Sequence, residues 1–179
     1  MSPPRHPSRR LRGVSLLELC VTLAIAALLC LLTLPSLSRA LSDWRADMLR
    51  MQLVSVFNSA RSIAITRHEP VAVCPSADGA HCGSDWSRGW LIYRDHGGSA
   101  ETPAAEDILQ FRAGYDDSAL RARTGQARRR LRFQGNGSSG GSPLTVHICA
   151  GGRLQGQVVV NNVGRTRSAR SRAPAECPR

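Results

Sequence analysis

The chain has 179 residues, 24 arginines and no lysine, 13 acids and a formal net charge of +11. That length admits one small domain, with or without an appendage, and excludes a multidomain assembly. The charge is uneven: residues 121–179 hold twelve arginines and one acid, Glu176, an imbalance that favours a polyanionic partner.

Arg5, Arg9, Arg10 and Arg12 precede Gly13, so trimming there lowers the charge from +11 to +7. An apolar run from Val14 to Leu34 follows, long enough to cross a bilayer as a helix. A secretory signal has a shorter apolar core and a small-residue cleavage site after it. Here the small residue, Gly13, comes first, so a cut beside it leaves the helix on the mature chain. The arginines before the run would stay cytoplasmic and the rest would be exported. Glu18 stands inside the run, where a carboxylate costs several kcal/mol unless it is paired or neutral.

The segment Gly13-Val14-Ser15-Leu16-Leu17-Glu18 resembles the prepilin-peptidase site of type IV pilins and pseudopilins. The resemblance implies that residues 1–13 are a leader, that prepilin peptidase cuts after Gly13, and that Val14 becomes a methylated N-terminus. Glu18 is then the fifth mature residue. Val14 departs from the usual phenylalanine or methionine, and Pro35 falls where pilins often carry a helix-kinking proline. In a filament, Glu18 would meet the amino group of Val14 on a neighbouring subunit, which removes the penalty of an unpaired charge. The implied partners are prepilin peptidase, other pilin or pseudopilin subunits and the inner membrane. The expected topology is single-pass, with the C-terminal domain in the periplasm.

Residues 14–35 are thus expected as a transmembrane or filament-core helix and residues 36–67 as its amphipathic continuation. Leu37 to Thr66 contains no glycine or proline. Leu41, Trp44, Met48 and Met51 form one stripe at helical spacing; Leu49, Leu53, Val56, Ala60 and Ile63 form a second. Core packing is the expected role of Trp44, Met48 and Met51. After Glu69-Pro70 the pattern changes to short β-like runs: Val71–Cys74, Gly89–Arg94, Ile108–Arg112, Leu131–Gln134, Leu144–Cys149 and Gln157–Asn161. Segments Asp95–Asp107 and Ala113–Arg130 read as irregular loops, and Gly135–Pro143 as a flexible connection. The fold class is α+β, a long N-terminal helix packed on a small antiparallel β-rich domain over residues 68–179.

Two stretches narrow the resemblance. Val73 to Asp95, with Cys74-Pro75-Ser76, Cys82, Trp86, Gly89 and Trp90, resembles the FimT/GspH group of minor pilins and pseudopilins. Val158 to Arg167 resembles the closing strand and Gly-Arg-x-Arg of the same group.

Cys20 and Cys30 lie in the apolar run and behave as small hydrophobes. The other four, Cys74, Cys82, Cys149 and Cys177, suit disulfides in an exported domain. Three pairings are possible. Cys74–Cys82 with Cys149–Cys177 is favoured, because the first closes a turn and the second anchors a loose tail. A zinc site from Cys74, His81 and Cys82 is the rival, but it lacks Cys-x-x-Cys spacing. Gly135, Gly137 and Gly140 spell a dinucleotide fingerprint without the helix that must follow it. Asp95-His96 has no nucleophile elbow to serve. We expect no enzyme, no metal and no cofactor.

The remaining candidate is Gly164 to Arg172, a tail with Arg165, Arg167, Arg170 and Arg172. Residues two apart in an extended chain project to one side, so guanidinium groups there could follow phosphates. In the FimT branch a C-terminal Gly-Arg-x-Arg is associated with DNA capture during natural transformation. The resemblance carries that role to Arg165 and Arg167; charge and spacing extend it to Arg170 and Arg172. The expected function is a minor pilin that binds double-stranded DNA through phosphates, without base readout. The alternative is a GspH-like structural pseudopilin of a type II secretion system.

Overall fold

The computed structural model describes residues 15–97, 103–115, 117–125, 128–141, 143–172 and 175–178. Its elements are one helix, α1 (Leu16–Arg67), and eight strands: β1 (Val71–Pro75), β2 (Gly89–Arg94), β3 (Ile108–Ala113), β4 (Leu120–Thr124), β5 (Leu131–Phe133), β6 (Leu144–Ala150), β7 (Arg153–Val160) and β8 (Thr166–Arg170). The helix stops where His68 takes a left-handed conformation (φ 54°) and Pro70, two residues on, cannot continue it.

The chain divides into two units, Met1–Ala40 and Leu41–Arg179. In the first, Leu16, Leu17, Leu23, Leu28 and Leu31 are all exposed. This apolar stretch makes α1 long and apolar enough, by length and composition, to cross a membrane.

The second unit is a long-helix segment with two antiparallel four-stranded sheets, ordered β3-β2-β1-β5 and β4-β6-β7-β8. From the helix, Ala46, Leu49, Leu53, Val56, Phe57, Ala60 and Ala64 are buried at three- and four-residue steps. They meet Val71, Val73 and Ile92 of the first sheet and Val146, Ile148 and Val158 of the second in one core. Phe57 packs edge-to-face on Trp86, ring centroids 5.3 Å apart. Every buried hydrophobic residue of the described chain falls between Ala46 and Val160, so this unit carries a complete core of its own.

The helix corrects one expectation. Leu41, Trp44, Met48 and Met51 are exposed, Trp44 by 60%. A helix lying on a sheet buries one stripe. The stripe of Leu49 and Leu53 occupies that position, so the other apolar stripe faces outward.

The strands add two elements to those read from the sequence. β4 lies within Ala113–Arg130, expected as loop; β8 lies within the arginine tail. In β4, Leu120 and Ala122 are buried while Arg121 and Arg123 are exposed. The segment Gly135–Pro143, expected to be flexible, is pinned over its described residues 135–141. Ser139 is buried, donating from N to Asn162 O (2.9 Å) and from Oγ to Asn161 O (2.9 Å).

Disulfides join Cys74 to Cys82 and Cys149 to Cys177, closing loops of sequence separation 8 and 28. With both thiols of the first pair so used, Cys74 and Cys82 offer no thiolate to zinc. In the chain-entropy model the two bonds contribute about 2.5 and about 3.5 kcal/mol. A fragment of residues 41–179 is expected to take up no alkylating reagent when native and four equivalents after reduction. Intact mass checks this, and two or more sites alkylated in the native fragment would overturn the pairing.

Candidate nucleic-acid interface

The β7–β8 hairpin presents the tail arginines. Its turn is built from local hydrogen bonds: Gly164 N donates to Asn161 O (2.9 Å), Asn161 N to Arg165 O (3.1 Å), and Arg165 N to Asn161 Oδ1 (2.8 Å). Gly164 is buried with φ +78°, in the left-handed region that glycine tolerates best. A Cβ there would lie 2.0 Å from the carbonyl oxygen of Gly137. Arg61 of α1 closes the junction, donating from Nε to Gly137 O (2.9 Å) and from Nη2 to Val163 O (3.3 Å). One helix side chain therefore fixes both the glycine-rich loop and the turn that carries Arg165.

The ladder sets the direction of each β8 side chain. Val160 pairs Thr166, Val159 pairs Arg167, Val158 pairs Ser168, and Gly156 pairs Arg170. Val158 and Val160 are core residues, so Thr166, Ser168 and Arg170 share the inner face and Arg167 the outer one. On the inner face, Arg50 Nη1 donates to Ser168 Oγ (2.8 Å), and Arg170 forms an ion pair with Asp47, which also accepts from Arg50 Nε (3.2 Å). Burial works against ionisation of Asp47, but hydrogen bonds from Arg170 and Arg50 hold its carboxyl below the ordinary value.

The four tail arginines are all exposed but do not form one row. Arg170 has an acid partner on the inner face. Arg165 and Arg167 have no acidic partner among the described residues. Arg172 is exposed beyond β8. Ser171 N donates to Gln155 O (2.8 Å), the backbones of Arg153 and Glu176 form an isolated antiparallel β-bridge, and Cys177 is bonded to Cys149. The Cys149–Cys177 bond anchors the tail as expected, and Thr166–Arg170 of the tail form a paired strand.

Neighbouring arginines have other duties. Arg128 Nη2 donates to Ser139 O (3.1 Å) and Gly140 O (2.9 Å). Arg132 Nε lies 2.9 Å from the buried carboxylate of Asp95, and Arg130 Nη1 3.6 Å from it. These side chains hold loops and the end of the first sheet.

Gly13 and Val14 lie outside the described residues. Glu18 is exposed in the first turn of α1. Sequence reasoning missed Asp47, Arg50 and Arg61, whose partners in the β domain lie 76 to 123 residues away and leave no local signal.

A long N-terminal helix followed by antiparallel sheets is the type IV pilin fold. Two crystal structures of the type IV minor pilin FimU from Pseudomonas aeruginosa share it, each at 22% identity over 73% of this chain. The TM-scores are 0.55 and 0.54, with 92% and 98% of the FimU chains covered. The sequence model of the family described as type II transport protein GspH matches residues 50–164. The chain belongs to the GspH family, a group of minor pilins and pseudopilins. None of the curated proteins compared matches the chain.

Proposed function

We propose that the chain is a minor type IV pilin of the FimT kind that binds double-stranded DNA without sequence preference, for DNA uptake in natural transformation. The observation that supports this reading most directly is the pair Arg165 and Arg167, exposed at the turn end of β8 with no acidic partner among the described residues. Arg172 adds a third exposed guanidinium. Arg170 contributes least, because Asp47 shares its charge. Recognition rests on phosphates, since aromatic residues make up only 4% of the chain and phosphate contacts carry no sequence information.

In the same proposal, prepilin peptidase cuts after Gly13 and Val14 becomes the methylated N-terminus. Glu18 pairs with that terminus on a neighbouring subunit, so its charge is compensated once the filament assembles. The apolar part of α1 anchors the subunit in the inner membrane before assembly, with the β domain in the periplasm. The work of the protein is binding and assembly rather than catalysis.

Each phosphate neutralised contributes about 0.9 to the slope of log affinity against log salt. Changing Arg165 and Arg167 to glutamine in a fragment of residues 41–179 should make that slope shallower by about 1.8. Affinity should fall roughly 60-fold at 0.1 M salt, alike on every duplex tested. Fluorescence anisotropy at several salt concentrations reads both quantities. Unchanged binding in the double variant would remove the role of the β8 arginines.

The second reading is a GspH-like structural pseudopilin of a type II secretion system, favoured by the family match over residues 50–164. It keeps the roles of Gly13 and Glu18 and needs no arginine on β8. Absence of DNA binding in the intact fragment would select it.

A further inference from the structure

We infer that the DNA path continues from β8 across the outer face of the β4-β6-β7-β8 sheet to a second phosphate contact at Arg123 on β4. This deepens the DNA-binding reading and rests on it.

Alternation places the residues. Leu120 and Ala122 of β4 are in the core, so Arg121 and Arg123 stand on the opposite face. In β6, Val146 and Ile148 are in the core, and Thr145 and His147 alternate with them. Cross-strand pairing then lays out two rows on the outer face. Arg123 pairs His147, His147 pairs Gln157, and Gln157 pairs Ala169; beside them, Thr145 pairs Val159 and Val159 pairs Arg167. Arg123 and Arg167 thus mark two corners of one surface floored by short or uncharged side chains.

The strands themselves carry no acid. None of the residues of β4, β6, β7 or β8 is Asp or Glu. Arg121 lies 3.4 Å from Asp85, which offsets its charge. Arg123 is exposed and has no acidic partner among the described residues. A cleft of about 290 Å³ opens beside it, lined by Thr124, Arg128, Thr145 and His147 among others and by no carboxylate. Arg128 is held at its rim by two backbone carbonyls.

The span fits a duplex. Adjacent strands lie about 4.8 Å apart, so three steps from β8 to β4 cover about 14 Å, and the two-residue offset between the rows brings the separation to about 16 Å. The major groove of B-DNA is about 12 Å wide, so two arginines at this separation can reach phosphates on its two sides. A strand of β8 alone reaches one side.

Full-length protein in nanodiscs of zwitterionic lipid, titrated with a labelled 30-base-pair duplex, tests the inference. Arg123→Gln is expected to weaken binding about eightfold at 0.1 M salt and make the salt slope shallower by about 0.9. Arg123→Lys should restore most of both. Arg112→Gln is the net-charge control, since Arg112 is exposed on β3 of the other sheet, and it should change affinity by less than about twofold. If Arg123→Gln matches Arg112→Gln while the Arg165/Arg167 double variant loses binding, the inference fails and the β8 reading stands. If the wild-type protein binds no duplex, both fail. If Arg123→Gln instead abolishes binding to phosphatidylglycerol vesicles and leaves DNA binding intact, the face belongs to lipid and the inference is overturned.

Discussion

Replacing Gly164 by valine is expected to destabilise residues 41–179 by about 3 kcal/mol and lower the melting midpoint by roughly 10 °C. The residue holds φ +78°, where a side chain with a Cβ is strained by about 1–2 kcal/mol. The same Cβ would sit 2.0 Å from Gly137 O, a backbone atom that cannot swing aside. Relief requires the turn and the glycine-rich loop to part, and both hydrogen bonds from Arg61 would go with them. Gly140→Val is the comparison. It has negative or extended φ and nothing within 4 Å of a built Cβ, so it should shift stability by less than about 0.5 kcal/mol. Circular dichroism melts read the difference. Equal midpoints for the two variants would show that the turn relaxes without cost.

The second large effect is expected at the other end of the chain. Gly13→Leu should leave the leader uncut, retaining residues 1–13 and keeping the subunit out of filaments altogether. Glu18→Ala should be cut normally yet enter filaments at least tenfold less, because the neighbouring amino group loses its counter-charge in an apolar setting. Mass spectrometry of the membrane-bound chain and immunoblots of sheared filaments separate the two steps. Wild-type incorporation of Glu18→Ala would end the proposed registry role.

Much of the fold was legible because burial leaves a local signature. Val71–Pro75 and Gly89–Arg94 are apolar runs bounded by breakers, and both proved to be interior strands of one sheet. Leu49, Leu53, Val56 and Ala60 repeat at helical spacing because one face of α1 meets the sheets. The other stripe could not be told apart from it: Trp44 and Met48 repeat just as regularly, and only the second unit's packing decides which stripe is covered. β4 was hidden by composition. Leu-Arg-Ala-Arg-Thr alternates as a half-buried strand must, but its buried side contains only Leu120 and Ala122. β8 has no strongly apolar residue on either face. It is held by ladder hydrogen bonds, by Arg50 on Ser168 and by Arg170 on Asp47, and such distant partners do not show in a local pattern. The arginines of the candidate site were visible as residues. Which of the two faces of β8 turns toward the core was not, because it depends on the register with β7.

The bond between Cys149 and Cys177 has a mechanical consequence. β8 is an edge strand, and a long polymer held at its arginines would tug on it. A pull along the strand loads the β7–β8 hydrogen bonds together, in shear. A pull away from the sheet would instead unzip them one at a time. The covalent ring of sequence separation 28 encloses both β7 and β8 and ends on β6, an interior strand. Unzipping from the C-terminal side can therefore proceed only until the chain between β8 and Cys177 is taut. Beyond that point tension passes through sulfur into β6 rather than through the edge ladder. In a reducing buffer the same strand would peel from its end at lower force.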